Sequence, residues 1–173
     1  MPRRPSPTRR SERARWSITV AACALVLGAA VVVRIQFLDV VTVSSDSMAP
    51  TVCTGDTLLV ARIHAGDAVH RGDIVTFTGP ATGESMIKRV VATGGEQLLI
   101  TDGRVVVDGS VVPEPYVERA QVSGVFFQTV TVPDGWVFVL GDHREASVDS
   151  RSFGPIPEAA VTGRMLATLW SGC

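Results

Sequence analysis

Hydrophobic and polar positions divide this chain into two unlike parts. From Trp16 to Val33, eighteen residues run without a charge, bounded by Arg15 and Arg34. A helix of that length spans roughly 27 Å, close to the ~30 Å hydrocarbon thickness of a bilayer, so the pattern predicts one membrane-crossing helix over 16–33. After Arg34 the pattern changes to short β-branched stretches between turn residues: Val40–Val43, Thr57–Val60, Ile74–Phe77 and Ile87–Val91. Asp102-Gly103 and Asp108-Gly109 each lie between apolar runs, a strong hairpin signal, and predict a meander from Gln97 to Val112. Val125–Val132 and Trp136–Leu140 continue the series, with Pro133-Asp134-Gly135 as the turn. Only 157–170 has a helical look, which Gly163 and its β-branched neighbours weaken. The expected fold is all-β and mostly antiparallel, preceded by one N-terminal transmembrane helix. Barrel and sandwich both remain open.

Charge sharpens this division. Residues 1–15 hold six arginines against Glu12, while from Ile35 onward nine basic residues face sixteen acidic ones. A nucleic-acid-binding domain would be basic over its folded surface, so that class is set aside. The positive-inside rule puts the basic arm, 1–15, in the cytoplasm and the body, 34–173, outside the cell membrane. The Arg/Pro/Ser composition of the arm predicts disorder. A cleaved signal peptide is the rival of an anchor, because Leu27-Gly28-Ala29-Ala30 is small enough to be cut. The apolar run continues past it to Val33, however, and is longer than a usual signal-peptide core. Val20-Ala21-Ala22-Cys23 resembles an acylation site only loosely, since ten uncharged residues follow Cys23. In the body, Cys53 and Cys173 either form a disulfide or remain two thiols.

Of the sixteen basic residues fifteen are Arg; the only lysine is Lys88. It lies in Met86-Ile87-Lys88-Arg89-Val90-Val91, where strand alternation puts Lys88 beside Met86 and Val90 and Arg89 on the other face. An ordinary lysine, with pKa ~10.4, is protonated at neutral pH and cannot serve as a base. Aliphatic neighbours remove water and lower that pKa; an edge-strand lysine with its head in water would not be changed. A second segment, Ser44-Ser45-Asp46-Ser47-Met48-Ala49-Pro50-Thr51, follows a predicted strand and presents hydroxyls on a Pro-containing turn, as many plain loops also do. A third runs from Gly141 to Pro155 and concentrates Asp142, His143, Arg144, Ser147, Asp149, Ser150 and Arg151 after an apolar strand. Asp149 and Arg151 can pair to fix this loop, and a serine hydroxyl can hold a neutral lysine amine in line.

Taken in order, Ser-x-Ser-Met-x-Pro-Thr, Gly72-Asp73-Ile74-Val75, Lys88-Arg89-Val90-Val91 and Gly-Asp-x-Arg-x-x-Ser-x-Asp-Ser-Arg-x-x-Gly resemble the boxes of bacterial type I signal peptidases. Val112-Pro113-Glu114-Pro115-Tyr116 is similar to a linking segment of that family. The resemblance implies a signal-peptidase-like β fold without metal or cofactor, and a serine endopeptidase that cuts exported preproteins after Ala-x-Ala-like sequences. It implies Ser47 as nucleophile, Lys88 as general base, and an oxyanion hole from the Ser47 N–H and the Ser45 hydroxyl. Ser147 would orient the Lys88 amine, Asp149 and Arg151 would brace the site with Asp142 and Arg144, and Ile87 and Met48 would line the substrate pocket. Expected partners are secreted preproteins, the export machinery and the lipid bilayer, and no nucleic acid. The expected location is the plasma membrane, crossed once with the N-terminus inside.

Two positions depart from the family pattern: Asp46 stands where Gly is common, and His143 where Asn is usual. Asp46 is expected to face solvent, since a carboxylate aimed inward would favour the charged lysine. His143 opens a rival Ser47–His143–Asp149 or Asp142 triad. Other readings are a dedicated pilin- or conjugation-type processing peptidase, a self-cleaving Ser-Lys protein, and a non-catalytic membrane-tethered binding domain. His64 and His70 lack metal-site spacing.

Overall fold

The computed structural model describes residues 9–64, 66–80, 82–118 and 127–173, apart from the side chains of 9–15, 17, 33 and 35. Helix α1, Arg9–Phe37, covers the whole uncharged run and part of the basic arm. Disorder is therefore corrected for 9–15: after Pro7 no Pro or Gly occurs before Gly28, and Arg, Glu and Ala favour helix. Residues 1–8 lie outside the described residues. Among the described residues no helix is long and apolar enough to cross a membrane. The membrane-crossing expectation thus rests on the sequence run.

The body, from Asp39 to Cys173, forms a separate compact unit. Its strands are β1 (Leu38–Thr42), β2 (Thr57–Arg62), β3 (Ile74–Thr78), β4 (Ser85–Thr93), β5 (Gln97–Thr101), β6 (Arg104–Val107), β7 (Ser110–Val111), β8 (Phe127–Thr131), β9 (Trp136–Leu140), β10 (Ile156–Pro157) and β11 (Val161–Trp170). They make a seven-stranded sheet ordered β1-β2-β11-β3-β4-β9-β10 and a four-stranded sheet ordered β7-β6-β5-β8, and the recorded strand pairs are antiparallel. The all-β expectation holds. In both predicted hairpins the turn pairs have positive φ, Asp102 47° with Gly103 71° and Asp108 50° with Gly109 75°. That backbone matches the twist of tight hairpins. Strand β8 is found where a strand was expected; the first two residues of that stretch, Val125 and Phe126, lie outside the described residues.

The segment with a helical look is not a helix. After a single 3-10 turn, Glu158–Ala160, the chain becomes β11, the ten-residue strand between β2 and β3. Gly163 pairs with Arg62 on one side and Thr76 on the other, and a Cβ there would come within 2.4 Å of Val60. Only glycine lets the three strands close at that point. Tertiary pairing on two edges outweighs a weak local helical preference.

Strand β4 carries the consequence for function. It lies between β3 and β9 and is buried on both faces from Lys88 to Ala92. Val90 packs with Val75, Phe77 and Val139, while Val91 and Ala92 pack with Leu98, Ile100 and Phe138. A residue placed on this strand leaves water whichever way it points.

The last residues return to the turn that follows Ser47. Cys53 and Cys173 form a disulfide, 120 residues apart in sequence, and the Gly172 N–H donates to the buried Asp56 carboxylate. Cys23 is a free, exposed thiol. Closing so long a loop removes freedom from the unfolded chain. Cys173→Ser in the full chain is expected to lower unfolding stability by roughly 2–4 kcal/mol, and reductant to do the same to wild type. An unchanged denaturant midpoint in both cases would show the tie to be inert.

Candidate active site

Ser47 lies in a turn fastened from below. Val43 N–H donates to Asp56 O at 2.9 Å and Gly55 N–H to Val43 O at 2.8 Å, so the segment from β1 to β2 closes on itself. Met48 and Val52 have no exposed surface and pack with Val43, Leu58 and Val60. Two apolar plugs thus hold the turn on the sheet and leave Ser47 between them and the polar side. Asp46 is exposed and accepts a 2.6 Å hydrogen bond from the Thr54 hydroxyl. The expectation that it faces solvent matches this geometry.

Lys88 comes from β4, paired with Val75 of β3, and is 3% exposed. Its Nζ lies 2.8 Å from Ser47 Oγ and donates to Ile87 O at 2.9 Å. Burial pulls the Lys88 pKa down, opposed by the weaker attraction of Asp149 and then Asp142. Lowering shifts the amine toward its neutral form, whose lone pair can take a proton. Ser45 Oγ stands 3.3 Å from Ser47 Oγ, on the exposed side of the pair.

The Gly141–Pro155 run packs behind this pair. Asp149 is fully buried, caps α2 (Ser150–Phe153), accepts from Gly141 N–H at 3.0 Å and forms a two-pronged pair with Arg151 at 2.8 Å on each oxygen. A Cβ on Gly141 would meet Ser147 Oγ at 2.2 Å and Ser47 O at 2.5 Å, so only glycine brings this loop against Ser47. Ser147 Oγ is buried there without a hydrogen-bond partner. Its expected hydrogen bond to the Lys88 amine is not made in this arrangement; Lys88 uses Ser47 and the Ile87 carbonyl instead.

The rival triad is not assembled. His143 Nδ1 lies 3.2 Å from Asp46 O, Asp142 is paired with Arg89, and Asp149 with Arg151. Ser47 Oγ has Lys88 and Ser45 as its hydrogen-bond neighbours. His64 and His70 sit in exposed turns beside Asp67 and Asp73.

Three functional neighbours were missed by sequence reasoning. Arg89 is buried like Lys88, grips Asp142 with two hydrogen bonds of 2.9 and 2.6 Å, and lies 3.8 Å over the Tyr116 ring. Glu114 pairs with the buried Arg144 and accepts from Tyr116 Oη at 3.2 Å. The available signals were the Lys88-Arg89-Val90-Val91 box and the Pro113-Glu114-Pro115-Tyr116 segment, whose spacing alone says nothing of where they dock. Beside β1 and β4 lies an open cavity of about 280 Å³, lined by Val41, Val60, Thr76, Ser85 and Thr162, with Asp39 and Arg62.

The family model for "Signal peptidase, peptidase S26" matches residues 15–170. The chain belongs to this family. As a member of peptidase S26 it is a serine endopeptidase of the signal peptidase I type. It is 40% identical over 130 residues to signal peptidase I V of Bacillus subtilis, covering 68% of this chain and 77% of that protein. A probable signal peptidase I-1 of Synechocystis is 34% identical over 160 residues, covering 87% of this chain and 79% of its own. A crystal structure of a signal peptidase I from Enterococcus faecalis superposes with a TM-score of 0.51 at 33% identity, over 58% of this chain and 98% of that one. In this signal peptidase family member the mostly antiparallel β architecture is therefore shared with a solved relative.

A buried amine with a depressed pKa costs stability at low pH. Below its folded pKa Lys88 must carry its charge out of water; as pH rises through that value toward the unfolded pKa of ~10.4, the penalty disappears. Lys88→Met is therefore expected to raise the melting temperature, with the gain largest at acid pH and shrinking as pH increases. A pH-independent change would mean that Lys88 is not desolvated in the folded protein.

Proposed function

We propose that this chain removes N-terminal signal peptides from exported preproteins by a Ser47–Lys88 dyad. The observation that carries this reading is the 2.8 Å approach of a buried lysine amine to the Ser47 hydroxyl. As Ser47 Oγ bonds to the scissile carbonyl carbon, the Lys88 amine takes the hydroxyl proton. The developing oxyanion is held by the Ser47 N–H and the Ser45 hydroxyl. The Lys88 ammonium then returns the proton to the leaving amine as the C–N bond breaks. Water, deprotonated by the same lysine, releases the acyl group from Ser47.

Substrate would bind as an added strand. β1 is an edge strand of the large sheet, and an extended peptide added there would take over the Val40 N–H from the Asp39 carboxylate and the Leu38 carbonyl from Arg34. In such a peptide alternate side chains share a face, so two small residues at −1 and −3 point the same way. Ile87 is the proposed wall for −1, supported from behind by the wholly buried Met48, and the cavity beside Val41 and Ser85 accepts −3. Ser147 is proposed to meet the lysine once substrate has displaced it from the Ile87 carbonyl.

Anchoring is part of the same proposal. The uncharged run 16–33 is followed as helix by α1, and six arginines precede it. This supports a single crossing with the N-terminus in the cytoplasm and the body outside, near preproteins delivered by the export machinery.

The test is direct. The full chain in detergent is incubated with a preprotein, and the product's new N-terminus is sequenced. Wild type is expected to cut after a small residue, with Ser47→Ala and Lys88→Ala each reducing kcat on the order of 10³-fold or more. Near-normal cleavage by Lys88→Ala together with loss in His143→Ala would replace the dyad by the histidine mechanism.

A further inference from the structure

Arg89 directly follows the proposed base, points to the opposite face of β4, and is held on every side. It makes both bonds to Asp142, a third to Gly72 O at 3.1 Å, and its guanidinium carbon lies 3.8 Å from the Tyr116 ring centroid. Tyr116 is itself fixed: its hydroxyl donates to Glu114 Oε1. Burial, reinforced by Glu114, pushes the Tyr116 pKa up, so that hydroxyl keeps its proton. Glu114 accepts from Arg144 on both oxygens and from Val105 N–H of β6 at 3.4 Å. Arg144 closes the circuit by donating to Gly141 O at 3.1 Å, beside the Asp142 backbone, and to Gly103 O at 3.4 Å.

We propose that Tyr116 and Glu114, on a segment outside the large sheet, are positioning residues that keep the Arg89 guanidinium in register with Asp142 and so set the charge that Lys88 experiences. The proposal rests on Lys88 acting as the base. The charged groups around that amine are Asp142 and Asp149, each neutralised by an arginine, Arg89 and Arg151. Asp46 is turned out to Thr54, and the His143 ring faces the Asp46 carbonyl. Of the two arginines, Arg151 is tied to its partner by its own short loop and also donates to Arg144 O at 2.6 Å. Arg89 is not tied through its own loop: Asp142, Gly72 and, at 3.5 Å, the Thr51 hydroxyl all reach it from other segments. It also lies over the Tyr116 ring, a cation–π contact that limits how the guanidinium can turn. Without the ring, the guanidinium keeps its Gly72 bond but loses the surface that holds its fork in line, so its bonds to Asp142 weaken, Asp142 is left partly uncompensated, and its field favours the ammonium over the amine. The base then needs a higher pH to lose its proton.

The experiment is the pH profile of kcat/KM for the full chain in detergent, on a peptide spanning a signal-peptide cleavage site. Tyr116→Leu is expected to move the acid limb to higher pH by about 0.5–1 unit, giving roughly three- to tenfold less activity on that limb and recovery at alkaline pH. Tyr116→Phe keeps the ring and is expected to stay within about twofold of wild type throughout. Should Tyr116→Leu not fold, Arg89→Lys makes the same test, since it keeps the charge but loses the fork and the flat face; the same alkaline displacement is expected. A uniform loss at all pH values, or an unmoved limb in both variants, overturns the proposal while leaving the dyad intact. Full activity in Lys88→Ala overturns both.

Discussion

The rest of this structure depends on keeping water away from one amine. A lysine with a hydrated head is an inert cation; the same group held in a dry site without an anionic partner of its own becomes a base. β4 supplies the dryness because it is buried on both faces, not on one. The nearby carboxylates would undo it if they were free. Each is occupied: Asp142 by Arg89 and Asp149 by Arg151, with Asp149 also accepting the Gly141 N–H. The site therefore surrounds Lys88 with charges that are already paired, and offers it a hydroxyl and a carbonyl.

Ser47, the proposed nucleophile, faces a different constraint, since a serine on a turn must be both reachable and fixed for that role. Fixing comes from the apolar plugs Met48 and Val52 and from the clasp of Asp56, which holds Cys53 N–H at 2.9 Å and the C-terminal Gly172 N–H. The disulfide adds a covalent link at the same place. Asp46, where a glycine is common in the family, is tolerated because Thr54 gives its carboxylate a partner on the outer side. The departure is thus taken up on the loop's exposed side.

Much of this was legible in the order of residues. The strands after Arg34 were visible as β-branched runs, and the hairpins as Asp-Gly pairs whose positive φ values bear out the reading. The strand β11 was not, because its apolar spacing is ambiguous and only the two neighbouring strands, with room for nothing larger than Gly163, decide its state. At the site, Ser47 and Lys88 stood out through motif order and through the solitary lysine. Arg89, Glu114 and Tyr116 stood in the quoted segments without a role, since a long-range ring contact and a buried ion pair leave no periodic trace. The open form of Ser147 was equally invisible: sequence places a hydroxyl in a loop but says nothing of which partner it takes.

The near-exclusive use of arginine also has a structural rationale at three positions. Arg89, Arg144 and Arg151 each present two or more nitrogens to one carboxylate while donating to a backbone carbonyl as well. A planar fork can do this; an ammonium, a point charge on a flexible stem, cannot hold both carboxylate oxygens in one plane. There is a second reason to exclude lysine from these places. A guanidinium stays charged at any pH at which the protein works, so the compensation of Asp142 and Asp149 does not change while Lys88 titrates. Were the bracing cations lysines in the same partly dry surroundings, their own protons would become labile and the field at the base would vary with pH. Permanent charge braces the site, and the one lysine is left for the proposed chemistry.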